Sequence, residues 1–458
     1  MKKALFLIII SCFVLFLNGC DLFSKTTSES VTTLETTETT QPTTVTDTTS
    51  ISTTSITNTT DTTTTQPITT LPATTTTTTS AIHTISFESN GGTQVEPIVQ
   101  AESTVIVEPA SPTREGYVFS GWYLDIESVD LYEFDLMPSN DMVLYADWAT
   151  EDLVFTLIND DLEYEVSLQD AEDLLSIQIP KYHEGKPVTK IADYGFGGCY
   201  SVTEIVYSPN INSIGIYAFM GCEELTEYTI SQYITEVGTA LFMGCSKLEA
   251  INVDSNNLFY KSIEGVLFSI SEELLITYPS AKSDTSYIIN NNVLSIEPYA
   301  FTKSMYLTNV TIGNQVTIIK THAFYNCWEL TSIIIPDQVT TIELYAFRNC
   351  VGLLEVTIGS GLTGIDAYVF NQCSSLQTIT IPSNIEYIGY GAFYDCTSLS
   401  TIIIDKTSSQ GVITGGLFMF TNTKSYLAIY VPDLETKNAY DIAYIWSSYA
   451  SKISVNPA

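Results

Sequence analysis

Val339-Thr340-Thr341-Ile342-Glu343-Leu344-Tyr345-Ala346-Phe347-Arg348-Asn349-Cys350-Val351-Gly352-Leu353-Leu354-Glu355-Val356-Thr357-Ile358 is followed at once by a second stretch with the same skeleton. Val339, Ile342, Ala346, Phe347, Cys350, Leu353, Val356 and Ile358 are answered by Leu362, Ile365, Val369, Phe370, Cys373, Leu376, Ile379 and Ile381, each 23 residues on. The beat extends in both directions. Phe196, Phe219 and Phe242 form one run and Phe301, Phe324, Phe347, Phe370 and Phe393 another, with 23 residues between neighbours in each. A fixed period of this length means one small supersecondary unit per repeat, which buries its apolar face only when its neighbours stack on it. Each unit closes on apolar residues two apart and then a turn residue, as in Ile379-Thr380-Ile381-Pro382. That is the pattern of a short strand with one buried face, so each coil adds one strand to a parallel sheet.

Between Phe242 and Phe301 the spacing is 59, not a multiple of 23. Here we expect an aberrant coil at Gly265-Val266-Leu267-Phe268 and a polar loop around Ser280 to Asn292. A last unit at Leu417-Phe418, spaced by 25, brings the expected number of coils to ten.

These residues resemble the BspA-type leucine-rich repeats of bacterial surface proteins, whose consensus is close to Ile-x-x-Ile-Gly-x-x-Ala-Phe-x-x-Cys-x-x-Leu-x-x-Ile-x-Ile-Pro. The resemblance runs from about Phe155 to Ile453 and implies a β-rich, right-handed coil stack, with an N-terminal lead-in and cap at 150–190, repeats at 191–425 and a C-terminal cap at 426–458. Ahead of it, Ile85-Ser86-Phe87-Glu88-Ser89-Asn90-Gly91-Gly92-Thr93, the run Pro112 to Tyr123 and Leu144-Tyr145-Ala146-Asp147-Trp148 resemble the Listeria-Bacteroides repeat, a small β-grasp domain, here placed at 82–149. Asn90-Gly91-Gly92 is a turn after an alternating strand, and Tyr145 and Trp148 are expected to close the core.

The N-terminus carries a separate set of features. Met1-Lys2-Lys3 is basic, Ala4 to Leu17 is almost wholly apolar, and Leu17-Asn18-Gly19-Cys20 follows. The apolar run suits a signal-peptide core and is short for a membrane span. The last four residues resemble a bacterial lipobox, which implies a signal peptide at 1–19 and diacylglycerol on the Cys20 thiol; the other reading is an ordinary cleaved signal with Cys20 unmodified. Two acyl chains give stable anchoring, so the expected location is the outer face of a bacterial cell membrane, held through the N-terminal lipid only. Thr26 to Ser80 is mostly threonine without a single Lys or Arg, and within 20–81 it reads as a disordered stalk, glycosylated or an inert spacer.

Lys plus Arg number 17 against 52 Asp plus Glu, a formal net charge of −35. That excludes nucleic acid and makes anionic surfaces poor partners. Three histidines, His83, His183 and His322, stand far apart, and neither a nucleophile motif nor a phosphate-cradling loop occurs, so no catalytic residue and no cofactor are expected. The cysteine column, Cys199, Cys222, Cys245, Cys327, Cys350, Cys373 and Cys396, does not suit zinc, whose ligands converge on one point. It is expected to be a row of small buried hydrophobes with weak donors, and no metal is expected.

Two columns are left as candidate ligand-binding surfaces. Two residues before the repeat phenylalanine stand Tyr194, Tyr217, Tyr299, His322, Tyr345 and Tyr368. Tyrosine is enriched at interfaces, yet these rings would equally serve to cover the edge of the core. The outward strand positions Val206, Thr229, Asn252, Thr311, Ile334, Thr357, Thr380 and Ile403 form the other column. The BspA resemblance implies adhesion, hence an extracellular protein or glycan as partner. A structural spacer without a ligand and a receptor for an extracellular polymer are the rival expectations. Oligomeric state is not legible.

Overall fold

The computed structural model describes residues 80–125, 131–169 and 174–457. Cys20, the signal peptide and the threonine-rich stalk lie outside the described residues.

The small N-terminal sheet has four strands, β1 (Ile82–Glu88), β2 (Ile98–Ala101), β3 (Tyr117–Tyr123) and β4 (Met142–Thr150), in the order β2-β1-β4-β3. Its central pair, β1 and β4, is parallel, and both outer pairs are antiparallel. Alternation along β4 sends Leu144, Ala146 and Trp148 into the core with Ile85 and Trp122. Tyr145 therefore points to the opposite face, and only Trp148 of the expected pair closes the core. Asn90 and Gly91 turn the chain with φ of 46° and 88°. At Gly92 a Cβ would stand 2.4 Å from the Trp148 ring, so the turn sits tight against the indole.

The rest is a β-solenoid of about 13 turns, capped at its start by the antiparallel hairpin Leu153–Ile158 with Glu163–Leu168. The main row of strands runs from Ser176–Gln178 through Glu204–Val206, Glu227–Ile230 and onward to Thr401–Ile404 and Ala428–Val431, paired in parallel and in register by 23 over most of its length. The turns exceed the ten read from phenylalanine spacing because Ser176–Gln178, Ser286–Ile288 and Ile453–Val455 add strands without a phenylalanine of their own.

Two further expectations need correction. Ser286–Ile288, in the stretch taken for a polar loop, is a strand paired with Asn309–Thr311, and its Tyr287 packs partly buried against the core. In the last coil the core phenylalanine is Phe420, 27 residues after Phe393, while Phe418 is 49% exposed.

Each coil turns through two residues in the left-handed region, at positions −2 and +2 from the phenylalanine. Position +2 holds Gly198, Gly221, Gly244, Asn326, Asn349, Asp395 and Asn422, residue types that accept positive φ, and in two coils Lys303 and Gln372, which do not favour it. Position −2 holds Tyr194, Tyr217, Tyr299, His322, Tyr345 and Tyr368, with φ between 56° and 62°. Bulky residues there are uncommon and persist only where their surroundings determine them. The stack supplies that determination. The amides of Tyr345, Phe347 and Asn349 donate to Ala367, Val369 and Asn371 of the next coil, while those of Arg348 and Cys350 donate back to Tyr345 and Phe347. The left-handed residues thus let alternate N–H groups run along the stack, leaving the backbone of a chain turn satisfied without helix or sheet.

Inside, Phe301, Phe324, Phe347, Phe370 and Phe393 stack with centroids 4.8–5.5 Å apart. The core is nevertheless two clusters. They meet at the hairpin Tyr260–Ile263 with Val266–Ser269, which is the aberrant coil. Leu267 belongs to the N-terminal cluster, whereas Val266 and Phe268 belong to the C-terminal one. Strand alternation lets this hairpin serve as a partition filled from both sides. At the far end the helix Leu434–Ile442 starts on Asp433, whose carboxylate accepts from the Thr436 amide at 2.7 Å. Beyond it Trp446, fully buried, donates to the Ile413 carbonyl at 2.6 Å.

Candidate ligand-binding faces

The six residues singled out at position −2 are brought together as one ladder of rings. Tyr194 stacks on Tyr217 at 5.0 Å, Tyr299 on His322 and His322 on Tyr345 at 4.8 Å, and Tyr345 on Tyr368 at 5.0 Å. Ala240 takes the slot between Tyr217 and Tyr299, and its small side chain lets these two rings meet edge to face at 5.8 Å. The ladder runs on through two residues missed in the sequence, Tyr390 at 5.3 Å from Tyr368, and Phe418 at 5.3 Å from Tyr390. Gly391 fills the −2 slot there with φ of 56°, and a Cβ on it would stand 2.6 Å from the Tyr368 ring, so the neighbouring Tyr390 continues the stack in its place. The legible clue to Phe418 was that it stands two residues before a second phenylalanine, as the six residues singled out at position −2 do.

Burial divides the ladder. Tyr217 and His322 are 6% and 5% exposed, so their rings cover the core edge. Tyr194, Tyr299, Tyr345 and Tyr368 are half-buried. Tyr390 and Phe418 are 41% and 49% exposed, and Leu417, next to Phe418 in the chain, is exposed too. The accessible part of the ladder thus gathers at its C-terminal end.

His322 is the one imidazole in the ladder. Its Nδ1 has no hydrogen-bond partner among the described residues, and the Arg348 guanidinium lies 5.2 Å from the Tyr345 ring centre and 5.8 Å from that of Tyr325. Burial first, and the Arg348 charge second, push the His322 pKa down to about 3, so the ring is neutral. Burial also raises the phenols of Tyr194, Tyr217 and Tyr299, keeping them protonated. The ladder presents ring edges and hydroxyls.

On the strand face the outward column alternates out of the core as expected, with Val206 and Ile334 exposed and Asn252 and Ile403 half-buried. Ile288 joins it, 72% exposed.

The cysteine column lies inside. All seven thiols are free and buried, and six donate to the phenylalanine carbonyl of the preceding coil, as Cys327 to Phe301 at 3.0 Å and Cys350 to Phe324 at 3.1 Å. Ser304, in the same column, turns its hydroxyl to Phe301 of its own coil at 2.8 Å. Burial pushes the Cys373 thiol up to about 12. No group of three or more His, Cys, Asp or Glu side chains that could hold a metal ion occurs among the described residues.

Comparison with known families matches six copies of the BspA type Leucine rich repeat region at residues 168–293, 277–400 and 317–444, and the Listeria-Bacteroides repeat domain at 83–147. Two proteins of Evansella cellulosilytica are similar over 68 residues, 15% of this chain: one named as a Gly-rich membrane protein at 41% identity and one named as a membrane protein at 43%. The match spans only 8% and 10% of those relatives' own lengths. Among solved structures, a leucine-rich repeat protein from Eubacterium ventriosum is 20% identical, with 63% of this chain and 98% of that one covered and a TM-score of 0.45. A leucine-rich repeat protein from Bacteroides ovatus is 22% identical, over 62% of this chain and 71% of that one, with a TM-score of 0.44.

Proposed function

Because the chain belongs to the BspA-type leucine-rich repeat family, whose members are generally surface-exposed, we propose that it is a cell-surface binding protein of adhesin type, recognising an extracellular protein or glycan through its repeats. The observation that carries this reading is the exposed end of the aromatic ladder, Tyr390 and Phe418, with Leu417 exposed next to Phe418 in the chain. Solvent-facing rings on a rigid, repetitive support are the kind of surface that solenoids use for recognition. Buried Tyr217 and His322 support the ladder, half-buried Tyr194, Tyr299, Tyr345 and Tyr368 form its shoulder, and the contact is made at the exposed end. The reading is non-enzymatic and needs no cofactor.

In the same proposal Cys20 carries the lipid, and the threonine-rich segment spaces the folded part from the membrane. Among the described residues no helix is long and apolar enough to cross a membrane. Incorporation of labelled palmitate into the wild type and its loss in Cys20→Ala tests the anchor.

The binding test compares two double variants on an extracellular-matrix protein captured by the full chain. Tyr390→Ala plus Phe418→Ala abolishes capture while the thermal midpoint stays close to the wild type, because both rings are exposed. If that variant binds as the wild type does while Ile288→Asp plus Ile334→Asp does not, the strand face is the binding surface instead.

A further inference from the structure

A cleft of about 330 Å³ opens where the small sheet meets the first turns of the solenoid. Its walls are fastened together. The Arg114 guanidinium donates to the Gln178 side chain at 3.2 Å, the Gln178 amide donates to the Thr150 hydroxyl at 2.7 Å, and the Lys181 amide donates to the Asp147 carboxylate at 3.2 Å. A concave site at a fixed domain junction is where small ligands are usually held, and its volume lies at the lower end of the roughly 300–1,000 Å³ usual for such sites.

The lining is specific in kind. From the small domain come Tyr145, turned away from its own core by strand alternation, and Asp147. From the solenoid come the residues just after consecutive strands: Tyr207, then Gln232 and Tyr233, then Asp254. Tyr207 cannot swing out, because its hydroxyl donates to the Thr229 carbonyl at 2.8 Å and accepts from the Ser231 amide at 3.0 Å, which leaves the ring as the contact surface. Tyr233 is 38% exposed. The Gln232 side chain has no hydrogen-bond partner among the described residues, and Asp254 accepts from the backbone and the side-chain amide of Asn256, both through Oδ1.

Charge narrows the ligand further. The buried Lys181 ammonium lies 3.9 Å from the centre of the Tyr123 ring and offsets Asp147, leaving the Asp254 carboxylate as the net charge of the cleft. Phosphate, sulfate, uronate and sialate ligands would face this charge and that of a strongly acidic chain. Three rings with an apolar body, an amide and two carboxylates suit a neutral saccharide, whose C–H faces pack on rings and whose vicinal hydroxyls donate to carboxylates in charge-assisted bonds. We propose that this cleft is a saccharide site for the neutral end of a glycan, one or two hexose units deep. It is separate from the ladder and does not rest on the ladder's role.

Isothermal titration of the full chain with lactose, maltose and N,N′-diacetylchitobiose, each up to about 10 mM at the weak end of specific binding, tests this. At least one saturates, Tyr233→Ala and Gln232→Ala each weaken it about tenfold or more, and 3′-sialyllactose binds less well than lactose. Tyr390→Ala plus Phe418→Ala leaves the titration unchanged. The proposal is overturned if none of the three disaccharides binds, or if binding persists undiminished in both Tyr233→Ala and Asp254→Asn. Loss on the ladder variant instead would move the saccharide to the ladder. Tyr233 and Gln232 lie outside the core, so circular dichroism of the variants matches the wild type.

Discussion

His322 replaces tyrosine in a ladder position, and this substitution carries a pH cost. The ring is buried between Tyr299 and Tyr345, with Tyr325 at its edge and the Arg348 guanidinium as the charge facing it. Its pKa falls to about 3 in the folded chain, against about 6.5 when unfolded. Above the unfolded value the imidazole is neutral in both states, and the full stability is present. Below it the unfolded chain binds a proton that the folded chain refuses, so stability is lost progressively as pH falls from about 6.5 toward about 3, at about 1.4 kcal/mol per unit. At pH 5 the loss is about 2 kcal/mol for this one group. His322→Tyr restores the ladder's usual residue and removes the titration. Native-state hydrogen exchange at the amides of Phe324, Tyr325 and Phe347 reads the local opening free energy in these coils. The wild type should lose about 2 kcal/mol more than His322→Tyr between pH 7 and pH 5. Equal losses in the two proteins would show that the ring is protonated without penalty, and would refute its burial against Arg348.

Other expectations follow from packing. Trp446→Ala removes a fully buried ring and the donor to the Ile413 carbonyl; it should cost about 3–5 kcal/mol and expose the last coils to limited proteolysis while the small N-terminal sheet keeps its exchange protection. Gly238→Ala would place a methyl 2.4 Å from the backbone of Gly215 and Ile216 in the neighbouring coil; forcing the coils apart should cost about 1–3 kcal/mol, read as a lower urea midpoint. Native protein should leave its buried column thiols unlabelled by Ellman's reagent and release them on denaturation, since burial holds Cys350, Cys373 and Cys396 as thiols; rapid labelling of folded protein would contradict the packing.

The coil was legible because one residue pattern does one job in every repeat: Phe347 and its equivalents stack, Leu353 and Val356 face inward, and Asn349 or Gly221 accepts positive φ. What escaped reading came from positions where different residues do the same job. Tyrosine is no marker of a left-handed turn, so Tyr345 and Tyr368 read as a column that either binds or covers the core edge, and only the inter-coil hydrogen bonds reveal that the backbone needs that conformation there. Phe418 and Phe420 are chemically alike, and their roles separate only when the stack chooses which ring goes inside. Tyr287 lies among serines, asparagines and aspartate, and its strand forms because Asn309–Thr311 is already in place to pair with it. The cleft was illegible for another reason: Tyr145 and Tyr233 are distant in sequence, and only the docking of the two domains sets them on facing walls.

The central claim is that this surface binds a specific extracellular partner. Arrays of glycans and extracellular-matrix proteins probed with the full chain over a concentration series test it most directly. The account predicts saturable capture of a defined ligand that free disaccharides do not displace, lost in Tyr390→Ala plus Phe418→Ala; uniform, non-saturating background across both arrays would contradict it and leave a rigid spacer.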